Sequence, residues 1–228
     1  GSGKTLAFAS GIIQNCEKGK AIQALILTPT RELCVQITKA LVKFSKYKHL
    51  NIAPVYGGVS IGPQIQELKT ADVVVGTPGR LNDHIQRTTI NLRKVKILVL
   101  DEADRMLDMG FQDDVEKIIR QCSTNRQTLL FSATITEEVT YLSRKYMKNP
   151  VKISAKTDVD PSKLKQVFYD VPDNMKFSLL VHLLKHERAG LVMVFSNSRK
   201  TVDFVTNNLT SNGIEAQAIH GGFAQNKR

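Results

Sequence analysis

The stretch Val95-Lys96-Ile97-Leu98-Val99-Leu100-Asp101-Glu102-Ala103-Asp104 decides the fold. An apolar run, interrupted only by Lys96, feeds straight into carboxylates. A run of that length and composition reads as a strand buried on both faces, as in a parallel sheet. Its carboxyl end would present acids at one sheet edge, where open α/β sheets hold their ligands.

Outward from this strand, apolar β-branched runs recur at 24–28, 52–56, 73–75 and 128–131, beside the first at 97–100. Between them lie stretches with apolar spacing of three and four. One holds Leu33, Ile37, Leu41 and Phe44; another holds Val115, Ile118, Ile119 and Cys122. Alternation of this kind predicts an α/β fold, a mostly parallel sheet covered by helices on both faces.

The pattern changes after Asn149-Pro150. Residues 154–165 are polar, carry Asp158, Asp160 and Pro161, and have little periodicity, so a linker is expected there. A second alternation follows: strand 166–171, helix 174–185, strand 191–195, helix 200–209, strand 216–220. The expected organisation is a first domain over 1–154, a linker over 155–165 and a partial second domain over 166–228. Phe168, Phe177, Phe195 and Phe204 are expected to fill the second domain, and Met106 and Met109 to pack in the first. A domain of roughly 60 residues buries only about 60% of its unfolded surface. The chain therefore looks cut inside its second domain, and also at its front, where Gly1 already stands inside a loop.

Composition narrows the partners. Among 228 residues the formal net charge is +11, a surplus that favours a polyanion. Aromatics make up 6% and Trp is absent, so stacking is not the expected main grip on bases. No stretch reaches the roughly 18 to 20 apolar residues of a membrane-spanning helix. Cys16, Cys34 and Cys122 are too few and too scattered for a zinc site or a disulfide framework, and reduced thiols in a cytoplasmic protein are expected. His49, His84, His182 and His186 share no metal-ligand spacing and are expected in surface or half-buried structural roles.

Gly1-Ser2-Gly3-Lys4-Thr5 precedes a helix expected from Leu6 towards Asn15. Glycines let backbone N–H groups wrap a phosphate, and the helix N-terminus adds a favourable dipole. Lys4 would reach the outer phosphates and the Thr5 hydroxyl would help to hold Mg²⁺. Asp101 can hold Mg²⁺ directly or through water, and Glu102 can orient or deprotonate an attacking water. The plain alternative is that these acids cap the helix expected at 105–109. Ser132-Ala133-Thr134 supplies hydroxyls beside the same edge, or a helix N-cap at Thr134 or Thr136. Pro29-Thr30-Arg31-Glu32-Leu33, Gly57-Gly58 and Thr77-Pro78-Gly79-Arg80 are strand-end loops, where free N–H groups and arginines can receive phosphates.

In this order, these pieces resemble the DEAD-box family of ATP-dependent RNA helicases. The resemblance continues through Val-Phe-Ser-Asn at 194–197, His220-Gly221-Gly222 and Gln225 to Arg228, and covers nearly the whole chain. It implies two RecA-like parallel-sheet domains, the second incomplete here, with ATP and RNA bound across their cleft. It implies that Gly1, Ser2, Gly3, Lys4 and Thr5 bind ATP, that Lys4, Asp101 and Glu102 are catalytic, and that Thr5 and Asp101 hold Mg²⁺. Ser132, Thr134 and Asp104 would couple hydrolysis to strand separation. Pro29, Arg31, Gly57, Gly58, Thr77, Pro78, Gly79 and Arg80 would line the RNA path. Asn197, Gly222, Gln225 and Arg228 would continue it in the second domain.

Two family features are missing. One is an upstream segment with a Gln that reads adenine; the other is a set of downstream motifs bearing phosphate-stabilising arginines. Arginine fingers are worth about 10³ to 10⁵ in rate in related enzymes, so weak or absent hydrolysis is expected of this chain alone. Two rival readings stay open: an ATP-gated RNA clamp that holds without unwinding, and a phosphate-loop ATPase with a partner other than nucleic acid.

Overall fold

The computed structural model describes residues 3–154, 164–187, 190–223 and 227. It divides into two units, Gly1–Ile153 and Ser154–Arg228. The first contains β1 (Ala24–Leu27), β2 (Ile52–Val55), β3 (Val73–Gly76), β4 (Ile97–Leu100) and β5 (Gln127–Leu130). Around them lie α1 (Lys4–Asn15), α2 (Arg31–Phe44), α3 (Ile61–Leu68), α4 (Pro78–Gln86), α5 (Ala103–Asp108), α6 (Gln112–Gln121) and α7 (Glu137–Tyr146).

All pairings are parallel and the order is β2-β3-β1-β4-β5. The three central strands bury every residue, while the outer two, β2 and β5, do not. The sequence explains the difference. β1, β3 and β4 are apolar throughout, apart from Gly76 at the end of β3. β2 carries Pro54, which cannot donate to a ladder and suits an edge, and β5 opens on Gln127-Thr128. Alternate side chains feed two cores. Leu25, Leu27, Val74, Leu98 and Leu100 enter one with α5, α6 and α7 residues; Ile26, Val73, Val75 and Val99 enter the other with Phe8, Ile12, Ile37 and Leu41.

Helix starts follow local chemistry. The Thr30 and Thr136 hydroxyls accept the N–H of Leu33 and Val139, each at 3.3 Å, and so cap α2 and α7. Pro78 opens α4, where its missing N–H costs nothing. Val115, Ile118, Ile119 and Cys122 are all buried, as their spacing predicted. Phe44 departs from its pattern at the solvent-facing end of α2, and Met109 is 49% exposed whereas Met106 is buried. Met109 lies one residue beyond α5, where the chain turns outward through Gly110. Cys16, Cys34 and Cys122 are free and buried, and burial pushes their thiols up to about 11, 12 and 12.

The second unit holds a 3₁₀ turn (Asp173–Met175), α8 (Lys176–His186) and α9 (Arg199–Ser211). The strands expected at 166–171, 191–195 and 216–220 do not form a ladder among the described residues. Helices satisfy their hydrogen bonds within one segment, but a strand needs a neighbour. The expected phenylalanine core is corrected for the same reason. Phe168 and Phe195 are each 90% exposed, and only Phe177 and Phe204 meet, edge to face at 5.8 Å. Most of the expected linker, 155–163, lies outside the described residues.

Candidate functional site

Because the strands are parallel, their carboxyl ends share one edge. Backbone bonds there tie the loops together: Thr28 N donates to Gly76 O, Thr77 N to Val55 O, Asp101 N to Leu27 O and Phe131 N to Leu100 O. Every strand-end motif of the first unit starts within a few residues of this line.

α1 begins at Lys4, and its N-cap Gly3 sits at φ 74°, a left-handed conformation that glycine adopts without strain. The N–H groups of a helix's first turn lack intrahelical partners and favour an anion. Lys4 and Thr5 are half-buried there. Gly1 and Ser2 lie outside the described residues. The Asp101 carboxyl, only 5% exposed, accepts the Glu102 N–H through Oδ1 at 3.0 Å. Burial pushes this carboxyl up; the Glu102 N–H and the Lys4 charge pull it down, and the Glu102 charge adds to the rise. Lys4 therefore stands within electrostatic reach of Asp101. Among the described residues no donor faces Asp101 Oδ2. A buried carboxylate oxygen without a partner among the described residues, within reach of a lysine charge, fits a hard cation that takes few protein ligands and keeps its waters. Among the described residues no group of three or more His, Cys, Asp or Glu could hold a metal.

Glu102 is the N-cap of α5 with φ 49° and ψ 52°, and its side chain makes no capping bond. The capping alternative thus does not account for it. A non-glycine residue in this region is strained, and strain of this kind gathers at functional sites. Asp101 is buried, whereas Glu102 beside it reaches partly into solvent. Glu102 stays half-buried, touching Arg105 Nη1 at 3.4 Å.

Asp104 faces the loop after β5. Its Oδ2 accepts both the N–H and the hydroxyl of Thr134, while Asp104 N donates to Ser132 Oγ at 3.2 Å. Ser132 Oγ in turn donates to Thr134 O at 2.6 Å. Burial raises the Asp104 carboxyl, but the Thr134 and Ser132 bonds outweigh it and leave it below the ordinary value.

Across the edge, Arg31 lies against Gly57 and Gly58. Gly58 has φ +80°, and a Cβ there would overlap the Arg31 guanidinium. Arg31 has no hydrogen-bond or ion-pair partner among the described residues. Arg80 differs from this. Its Nη1 donates to Gln64 Oε1 at 3.3 Å and its Nη2 to Val59 O at 3.0 Å, and the side chain is only 14% exposed. Pro29, Thr77 and Pro78 are buried and Gly79 is exposed. Sequence reasoning passed over Gln64 and set His84 aside as surface or half-buried. His84 is fully buried and bonded to Gln64 and Thr89, partners that no spacing along the chain reveals.

In the second unit Asn197 is exposed just before Ser198, which caps α9. His220 pairs with Asp203 at 3.0 Å and its Nδ1 accepts Gly222 N–H at 3.1 Å. Gln225 and Arg228 lie outside the described residues.

A helix opening at Lys4 and strand-end carboxylates at one edge of a parallel sheet define the class: a RecA-like domain. The DEAD/DEAH box helicase family model matches residues 1–142, and the chain belongs to that family. A probable ATP-dependent RNA helicase of Methanocaldococcus jannaschii is 44% identical over 229 residues, covering all of this chain and 61% of that protein. The DEAD-box ATP-dependent RNA helicase CshA of Geobacillus kaustophilus is 41% identical, covering all of this chain and 50% of that protein. The crystal structure of a DEAD box protein from Methanococcus jannaschii matches with TM-score 0.67 and 42% identity, over all of this chain and 62% of that one. The chain thus spans about half to three-fifths of the length of these relatives. No helix among the described residues is long and apolar enough to cross a membrane.

Proposed function

We propose that this chain is the ATP-binding part of an RNA helicase that separates short duplexes locally as it turns over ATP. Lys4 and the N–H groups opening α1 bind the phosphates. Thr5 and Asp101 would hold Mg²⁺, partly through water, and the cation would neutralise charge that develops on the transferring phosphate. Glu102 orients the attacking water and takes its proton. The Asp104–Thr134–Ser132 bonds tie the carboxylate helix to the loop after β5, so a shift at one moves the other. Arg31, lying against Gly57 and Gly58, offers its guanidinium to an RNA phosphate, and Pro29, Thr77, Pro78 and Gly79 belong to the same RNA path. In the second unit Asn197 and Gly222, with Gln225 and Arg228, continue the RNA side. The reading implies a cytoplasmic protein with RNA as its partner.

The observation that carries this reading is the Lys4 charge acting on the buried Asp101 carboxyl at the edge where β1 and β4 end. The test is titration of a fluorescent ATP analogue with Mg²⁺, then of labelled single-stranded RNA across a salt series. ATP binding that is lost in Lys4→Ala is expected. RNA affinity should fall with salt by about 0.7 log units per log unit for each phosphate contact. ATP affinity indifferent to Lys4→Ala, or salt-independent RNA binding, overturns the assignment. Strand separation of a short duplex in the full-length parent distinguishes a helicase from an ATP-gated clamp.

A further inference from the structure

We infer that Gln64, backed by His84, is a positioning residue that fixes Arg80 against the Gly57-Gly58 turn. This rests on the RNA reading of that edge and adds residues the family resemblance did not carry. Gln64 is a polar residue on α3 with only 5% exposure. Its Nε2 donates to Tyr56 O at 3.0 Å, so its Oε1 must face the other way. There it meets Arg80 Nη1 at 3.3 Å and His84 Nε2 at 3.1 Å. A guanidinium can only donate, which confirms that this atom is the acceptor. His84 Nε2 must therefore carry the hydrogen. His84 Nδ1 is then free to accept the Thr89 hydroxyl at 2.8 Å, nearer to that hydroxyl than its other acceptor, His84 O, at 3.2 Å. Burial, followed by the Arg80 charge, lowers the imidazole below its ordinary range and keeps it neutral, as this pattern requires.

Both polar ends of the buried Gln64 amide are thus satisfied, and each partner is itself held. Such networks are rigid when complete and costly when broken. The outcome is a fixed Arg80. Its Nη2 holds Val59 O, one residue past Gly58, and Gly58 carries the Arg31 guanidinium. Contacts run without a gap from Thr89 and His84 through Gln64 and Arg80 to the loop that sets Arg31. Without Gln64, Arg80 keeps its charge but loses its main side-chain acceptor; Asp83 lies 3.8 Å from its Nε and is shared with Arg87.

The experiment is a double-mutant cycle on the affinity of a labelled oligouridine RNA, with an ATP analogue and Mg²⁺ present. Arg80→Gln and Gln64→Met should each weaken binding about tenfold, and the double variant should be no weaker than Arg80→Gln alone. A general loss of stability does not produce that dependence on Arg80. Wild-type affinity in Gln64→Met, or losses that multiply in the double variant, overturns the inference. Where Gln64→Met fails to fold, Thr89→Val carries the same test, removing the hydroxyl that pairs with His84 Nδ1 and so helps to hold the imidazole against Gln64. About a threefold loss is expected, absent in the Arg80→Gln background; no loss in the wild-type background overturns the inference. Unchanged RNA affinity in both Arg31→Ala and Arg80→Gln overturns the RNA reading itself, and the inference with it.

Discussion

Asp104 accepts two hydrogen bonds from Thr134, one from its backbone N–H at 2.8 Å and one from its hydroxyl at 2.7 Å. The residues are thirty apart in the chain, Asp104 in α5 and Thr134 in the loop after β5. The acceptor is charged and nearly buried, so the bonds stabilise the fold as well as linking the helix to that loop. Thr134→Val should cost about 1 kcal/mol and Asp104→Ala about 2 to 3 kcal/mol in urea denaturation. Equal stability of Asp104→Ala and the wild type would show that the link is not formed in solution.

A second carboxylate gives a pH prediction. Glu116 of α6 accepts Lys145 Nζ at 2.8 Å, Tyr146 Oη at 2.6 Å and Arg120 Nη2 at 3.1 Å. The Lys145 and Tyr146 bonds, and then Arg120, hold it at about 2, below its ordinary 4.5. A depressed carboxyl binds fewer protons folded than unfolded, so its stabilisation is complete above about pH 4.5 and is lost as pH falls towards about 2. The stability gap between wild type and Glu116→Gln should close over that window. A gap that stays constant from pH 6 to about pH 2 would refute it.

Glu102 carries backbone strain that a substitution can release. At φ 49° and ψ 52° it occupies a region where Asn is far better tolerated. Glu102→Asn should therefore raise stability by several tenths to about 1 kcal/mol. In the full-length parent the same change should abolish ATP turnover while leaving ATP binding in place. Measuring melting temperature and turnover on one preparation checks both halves. A less stable variant would mean the strain is relieved by contacts that only Glu supplies.

The sequence made the first unit's sheet legible because its buried strands are apolar without interruption. β4 begins and ends where its apolar run predicts, and the other four strands begin and end within one residue of theirs. Strand order was not legible, since it depends on which helices cross which face. The acidic strand end and the helix opening at Lys4 were legible because each is contiguous in sequence. The Gln64–His84–Arg80 cluster was not, because its members lie on two helices and meet only through tertiary packing. The second unit shows the opposite failure. Its runs at 166–171, 191–195 and 216–220 have strand composition, yet composition does not supply a ladder partner. Arg80 illustrates how far charge alone misleads: its guanidinium is largely committed to Gln64 and Val59, whereas Arg31 keeps its own unpaired among the described residues.

That contrast yields the sharpest test of the RNA edge. Gly58 matters twice: its φ of +80° disfavours any side chain, and a Cβ there would push the flexible Arg31 guanidinium out of its place. Gly58→Ala should cost about 1 kcal/mol of stability from the backbone alone. Its larger effect should fall on RNA, because Arg31 has no partner to hold it elsewhere. RNA affinity should drop about as far as in Arg31→Ala, roughly tenfold for one charge-assisted contact. Gly58→Ala combined with Arg31→Ala should bind no worse than Arg31→Ala alone, since the small side chain removes the overlap. A further loss in the double variant would mean that the turn itself, through its backbone, makes the contact.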